Sequence, residues 1–283
     1  MTNVDISVVI PTYNRVHTIE RAIQSVLSQT VPPREVIIID DGSSDGTLQL
    51  ITSKFPAVTV LANDGNYGVS FSRNRGIHSA RSSWLAFLDS DDEWQPNKLL
   101  EQQNCLAEDR QAVFCHTDEI WIRNGVRVNA HNKHKKQGGD IFDRCLAMCA
   151  VSPSSVVMHR SLFDKFGFFD ENLPACEDYD LWLRIAAHIH VSYIDQQLVL
   201  KYGGHDDQLS RKHWGMDRFR VTSMNNLLVS GNLSAEQKIK TRTMLGIKLR
   251  ILRDGAIKRG KGDETAIWAE QIEENNRHLG QGV

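Results

Sequence analysis

The chain has 283 residues, of which 41% are hydrophobic and 24% charged, and its formal net charge is -2 at pH 7. These are the values of a folded globular chain of one large domain, or one domain with an extension, and they exclude a disordered or fibrous protein. So even a charge balance also argues against wholesale binding of nucleic acid.

The first hundred residues alternate strand-like and helix-like segments. Residues 6–10 read as a strand, 16–27 as a helix with Val16, Ile19, Ile23, Val26 and Leu27 on one stripe, and 35–39 as a β-branched strand covered on both faces. The pattern continues with a helix over 47–55, a strand over 58–61, a helix over 69–79, a strand over 84–88 and a helix over 96–106. Such alternation predicts a parallel α/β sheet. A second regime starts near Ala112, with strands at 113–116, 119–122 and 126–128, the last two joined by Asn124-Gly125, a tight-hairpin dipeptide. Residues 130–139 read as a polar loop, 142–149 as a short helix and 155–158 as a strand. A helix opens at Glu177, and three more cover 216–229, 235–253 and 264–277. The domain division expected is 1–210 for the α/β unit, its donor half 1–110 and acceptor half 111–210, with 211–283 as a helical extension.

The five cysteines include no Cys-x-x-Cys pair, and residues 1–10 carry no secretory pattern, which points to reduced thiols in a cytoplasmic setting. Cys145 and Cys149, one helical turn apart, read as structural thiols. No apolar run is long enough to cross a bilayer, so any membrane contact is peripheral.

Acidic groups placed just past strand ends carry the chemistry, because open α/β sheets bind their ligands there. Asp40-Asp41-Gly42-Ser43-Ser44-Asp45 follows the second strand, with Ser44 or Asp45 able to cap the next helix; a plain turn would use the same residues. Asp89-Ser90-Asp91-Asp92 follows an apolar strand. Crowded carboxylates are best tolerated when a cation neutralises them, and Mg2+ or Mn2+ prefers oxygen ligands and leaves room for substrate phosphates. A helix start enriched in acids is the plainer reading of that cluster. Glu177-Asp178-Tyr179-Asp180-Leu181-Trp182-Leu183-Arg184 opens a helix. Asp178 shares a face with Leu181, Trp182 and Ile185, whereas Asp180 and Arg184 are spaced for an ordinary ion pair. The helix dipole favours an ionised Asp178 able to accept a proton from a substrate hydroxyl.

Together, Val8-Val9-Ile10-Pro11-Thr12-Tyr13-Asn14-Arg15, Asp40-Asp41-Gly42-Ser43-Ser44-Asp45, Gly68-Val69-Ser70-Phe71-Ser72-Arg73-Asn74-Arg75-Gly76, Phe87-Leu88-Asp89-Ser90-Asp91-Asp92 and the helix start at Glu177 resemble the family 2 glycosyltransferases with the GT-A fold. The resemblance implies a metal-dependent, inverting transfer of one sugar from a nucleoside diphosphate donor, UDP-linked by default, to a glycan or lipid-linked acceptor hydroxyl in bacterial surface-polysaccharide assembly. It also implies roles: Pro11, Tyr13 and Asp41 at the base and ribose, Arg73 in support, Asp89 at the ribose and sugar, Asp91 on Mn2+ or Mg2+, and Asp178 as general base. Glu177, Ser154 and Ser155 fall on the acceptor side, and His205, in a glycine-hinged loop, is a further candidate metal ligand. Ser72 stands where the family usually has alanine. The Gln-x-x-Arg-Trp signature of processive synthases is absent, as expected for single-sugar addition.

Residues 211–262 hold thirteen Lys or Arg against three Asp or Glu. Such a face is either simply solvated or a surface for anionic lipid at the inner face of the membrane. Two enzyme rivals fare worse: a nucleotidyltransferase needs a glycine-rich phosphate loop after the first strand, and an oxidoreductase needs Gly-x-Gly-x-x-Gly there. An inert sugar-nucleotide scaffold of the same fold is the rival from outside enzymology.

Overall fold

The computed structural model describes residues 4–129, 134–204 and 213–280. Nine strands form one mixed sheet in the order β3-β2-β1-β4-β8-β6-β9-β5, with β7 paired to β6. The strands β1 (Ile6–Thr12), β2 (Glu35–Asp40), β3 (Thr59–Ala62) and β4 (Trp84–Phe87) run parallel. Their connections are α1 (Ile19–Leu27), α2 (Thr47–Lys54) and α3 (Val69–Ser79). β5 (Glu93–Trp94) and α4 (Lys98–Glu108) follow. The remaining strands are β6 (Phe114–Arg123), β7 (Val126–Val128), β8 (Val156–His159) and β9 (Ser192–Gly203). β8 is antiparallel to both β4 and β6, and β9 runs parallel to β6.

Alternation along each strand divides the core into two layers. Val8, Ile10, Ile38, Ala86 and Leu88 face α1 and α4, whose Ile19, Ile23, Val26 and Leu99 are buried. Val9, Ile37, Ile39, Leu85 and Phe87 face the other way, toward α3 and α7 (Glu177–Ala186), burying Tyr179, Leu181 and Trp182. Gly76 lets α3 lie against β1: a Cβ there would come within 2.3 Å of Val9 Cγ1. The short helices α5 (Phe142–Ala147) and α6 (Ser161–Phe166) complete this second layer.

Three helices end the described chain: α8 (Asp217–Val229), α9 (Ala235–Lys258) and α10 (Gly262–Gly280). α9 starts with a capping box between Ser234 and Gln237. Val221, Met224, Leu227, Leu245, Leu249, Leu252 and Ile272 join the same apolar cluster as Tyr179 and Trp182, so these helices share the core of the sheet's second face.

The strands read at 113–116 and 119–122 are one strand, β6, whose pairing with β9 shifts register between Thr117 and Glu119. Asn124 (φ 49°) and Gly125 (φ 76°) make the tight turn into β7. The twelve-residue β9 had no counterpart in the sequence reading.

Candidate active site

Register places the strand ends at one rim. Thr12 pairs with Asp40 and Asp40 with Ala62, while Phe87 pairs with Val9 and the Leu88 amide donates to the Val9 carbonyl. The segments that follow β1, β2, β3 and β4 therefore leave the sheet side by side.

The loop after β2 is tied by backbone donors. The Asp41 carboxylate, 4% exposed, accepts from the Asn63 amide at 2.6 Å, the Tyr67 N–H at 3.1 Å and the Gly68 N–H at 2.8 Å. Gly42 has φ 76°, and a Cβ there would lie 2.8 Å from the Gly65 carbonyl carbon, so only glycine lets the loop cross the segment after β3. Asp45 accepts from the Thr47 and Val16 amides, but neither it nor Ser44 is the cap of α2: the N-cap is Gly46, in the left-handed region at φ 93°, with no side-chain cap bond. Pro11 is buried beneath the rim, and Tyr13 stands 42% exposed on it.

The loop after β4 is tied by cations, one near in sequence and one remote. Asp89 accepts from Arg73 Nη2 at 2.7 Å and lies 3.8 Å from Lys201 Nζ. Asp92, 1% exposed, accepts from Ser154 Oγ at 2.7 Å, from Lys201 Nζ at 3.3 Å and from the Tyr202 N–H at 3.1 Å. Burial alone would raise the Asp89 carboxyl, but Arg73 and Lys201 outweigh it and hold it below the usual range. Burial pushes the Asp92 carboxyl up to about 7 against the pull of Lys201, with Asp91 and Asp89 adding repulsion. The crowded charge that seemed to demand a bound ion is thus largely met by two cations of the chain itself.

Asp91 is half-buried, and its carbonyl accepts from Arg21 Nη2 at 2.5 Å. No cluster of three His, Cys, Asp or Glu side chains that could hold a metal occurs among the described residues. A magnesium-like ion needs only one or two carboxylates when substrate phosphates complete its shell, so the chemistry of Asp91, with Asp89 beside it, still fits such an ion. His205 lies outside the described residues, as do 206–210 of the loop expected to close.

At the start of α7, three acids have three different fates. Glu177 is 5% exposed and bonds Arg73 Nη1 at 2.5 Å, so it faces inward. Asp180 forms the ion pair with Arg184 read from the spacing, at 2.7 Å. Asp178 remains half-buried, with no cation partner among the described residues, and accepts from the Tyr179 N–H at 2.7 Å. Cys149 Sγ lies 3.0 Å from Asp178 Oδ2 and 3.3 Å from the Val151 carbonyl, so its single S–H chooses between two acceptors. Burial and the neighbouring Asp178 push that thiol well above its ordinary value.

A chain of contacts joins the clusters. Asn63 donates both to Asp41 and, at 3.3 Å, to Ser72 Oγ; the next residue, Arg73, spans Asp89 and Glu177. Asp41, Asp89 and Asp178 are in this way brought to one rim. Ser154 and Ser155 are not on its surface: both are fully buried, Ser154 bridging Asp92 and the Asp89 amide, Ser155 bonding the Ser152 carbonyl. Lys201 and Cys149 are the residues beside these acids that sequence reasoning missed, while Asp92 was read only as a member of the acidic cluster. For Lys201 the available hint was its place at the end of a Val199-Leu200 run.

Residues 7–167 match the family described as Glycosyl transferase family 2. The chain is 32% identical over 191 residues, 67% of its length and 73% of the relative's, to the Escherichia coli UDP-Glc:alpha-D-GlcNAc-diphosphoundecaprenol beta-1,3-glucosyltransferase WfgD. It is 38% identical to Bacillus subtilis TuaG, named for teichuronic acid biosynthesis, over 74% of this chain and 82% of that one. Against glycosyltransferases of Rickettsia conorii and Rickettsia felis the chain spans only 37% and 36% of the relative's length. The structure of Staphylococcus aureus TarS 1–349 in complex with UDP-GlcNAc superposes with a TM-score of 0.69 at 17% identity, covering 95% of this chain and 92% of that one, which shows the shared GT-A fold. On fold, motif order and family match, the chain belongs to the family 2 glycosyltransferases.

Proposed function

We propose that this glycosyltransferase moves a single sugar from a UDP-linked donor to a hydroxyl of a glycan or lipid-linked acceptor, inverting the anomeric centre, with Asp178 as general base. One observation carries the reading: of the three acids that open α7, only Asp178 has no cation partner among the described residues, and it stands beside the loop after β4 through the Glu177–Arg73–Asp89 link. The named donors of the relatives, UDP-Glc for the Escherichia coli enzyme and UDP-GlcNAc bound to TarS, support a UDP-linked donor.

In this reading Tyr13 packs on the base, Pro11 shapes the pocket floor, and Asp41 stiffens the loop that receives base and ribose. Arg73 orients Asp89 toward the sugar end. Asp91 would hold Mn2+ or Mg2+, which when bound offsets charge on the departing diphosphate. Asp178 accepts the acceptor hydroxyl proton as the new bond forms. In Asp178→Asn, transfer is expected to fall roughly 10²–10⁴-fold, while donor binding, read by thermal shift, stays intact. Transfer at the unaltered rate would remove Asp178 from the role, and donor binding without any turnover in the native chain would favour the inert scaffold.

The acceptor reading extends to the inner membrane face. No helix among the described residues is long and apolar enough to cross a membrane. On α9, however, Ile239, Ile247, Ile251 and Ile257 are exposed beside Arg250 and Lys258, the mixture that lies on anionic lipid. Because α9 shares the core, truncation is a poor test. Ile247→Glu with Ile251→Glu should instead lower pelleting with phosphatidylglycerol vesicles, and unchanged pelleting would end the idea.

A further inference from the structure

Two side chains of α7 pin the segment that follows α5. The Tyr179 hydroxyl donates to the Leu146 carbonyl at 2.9 Å, and the Trp182 indole N–H donates to the Val151 carbonyl at 3.0 Å. Both rings are buried in the core, so these anchors are fixed by packing. Cys149 lies between the two anchored carbonyls in the chain, and its backbone has little freedom to carry the sulfur away from α7.

The sulfur meets Asp178 there, with Oδ2 3.0 Å away. The Val151 carbonyl, at 3.3 Å, is a second acceptor within reach, but it already takes the Trp182 N–H. A thiol has one proton to donate, and a carboxylate oxygen draws a donor more strongly than a carbonyl does. The nearer partner is therefore also the stronger one. Burial first, and the neighbouring Asp178 second, keep the sulfur protonated, so it serves as a donor and does not compete with the carboxylate for a proton.

We propose that Cys149 is a positioning residue for the transfer, its S–H fixing the rotation of the Asp178 carboxylate. This role rests on the reading of Asp178 as the base; the contact itself does not.

The arrangement suits a base. The Tyr179 N–H holds Oδ1 at 2.7 Å while the thiol holds Oδ2, which sets the plane of the carboxylate and leaves lone pairs for an incoming hydroxyl. A thiol is a weak donor, so it orients the carboxylate while taking little of the basicity on which proton transfer depends. As the acceptor oxygen bonds the anomeric carbon and the diphosphate leaves with the electron pair of the broken bond, the hydroxyl proton passes to Asp178. The S–H can then turn to the Val151 carbonyl. Alignment of this kind acts on the rate of the bound complex and not on donor affinity.

The contact and its use are tested separately on the intact chain. In infrared spectra the S–H stretch stands clear of other protein bands. One of its components should vanish in Cys149→Ala, and that component should move to higher frequency in Asp178→Ala; a Cys149 band unmoved by Asp178→Ala would overturn the contact. In transfer assays Cys149→Ala should lower kcat roughly three- to tenfold and leave KM for the donor unchanged. Cys149→Ser should recover part of that loss, because a hydroxyl still donates. Added to Asp178→Asn, Cys149→Ala should lower kcat no further. Native kcat in folded Cys149→Ala, or an equal further loss in the Asp178→Asn background, would overturn the positioning role and leave the base in place. Transfer at the unaltered rate in Asp178→Asn would instead remove the base, and the use of the thiol with it.

Discussion

The two acidic loops at the rim solve one problem in opposite ways. After β2, Asp41 is satisfied by an amide and two backbone N–H groups from residues 63–68, about one element away in sequence. After β4, Asp89 and Asp92 are satisfied by Arg73 on α3 and by Lys201 on β9, the latter more than a hundred residues away. Donors fixed by a turn hold a carboxylate with little loss of side-chain entropy, whereas cations on long stems need packing to hold them. The Arg73–Asp89 pair is as local as the Asp41 contacts, so it is the Lys201 contacts that make the second loop depend on the pairing of β9.

Substitutions can break that contrast. The largest effect should come from Arg73→Met, which leaves the buried Glu177 without its cation and Asp89 with Lys201 alone: we expect about 3–5 kcal/mol of lost stability in urea unfolding. Asp41→Asn should cost less, about 1.5–3 kcal/mol, since it weakens charge-assisted hydrogen bonds and strands no opposite charge. If Asp41→Asn proved the more damaging, the locally built loop would be the main scaffold of the rim. The smallest effect should come from Lys54→Ala, whose partner Glu20 is 2.8 Å away but exposed; at most about 1 kcal/mol is expected there.

The same contrast explains what could be read from the chain before its structure. The parallel strands β1 to β4 and their helices are built from local periodicity, and their bounds lie within a few residues of those expected. The Asp180–Arg184 pair and the Asn124-Gly125 turn were legible for the same reason. β9 was not, because Asp195, Gln196 and Gln197 interrupt its apolar residues where the pairing with β6 slips register. With β9 unread, Lys201 could not be placed, and the charge after β4 seemed to lack a counterweight within the chain. Glu177, Ser154 and Ser155 looked like groups awaiting an acceptor because nothing in their spacing reveals burial. Cys149 was set aside as a structural thiol since its contact with Asp178 depends on how α5 and α7 pack.

Arg73 has one further consequence. Its two terminal nitrogens are shared between the β4 loop and the first residue of α7, and its own backbone belongs to α3. The β4 loop and the first residue of α7 are therefore held apart by the fixed width of a planar guanidinium. On the proposed reading, a swing of that loop toward a donor would carry the start of α7 with it, so that loading one substrate would set the aim of the machinery for the other.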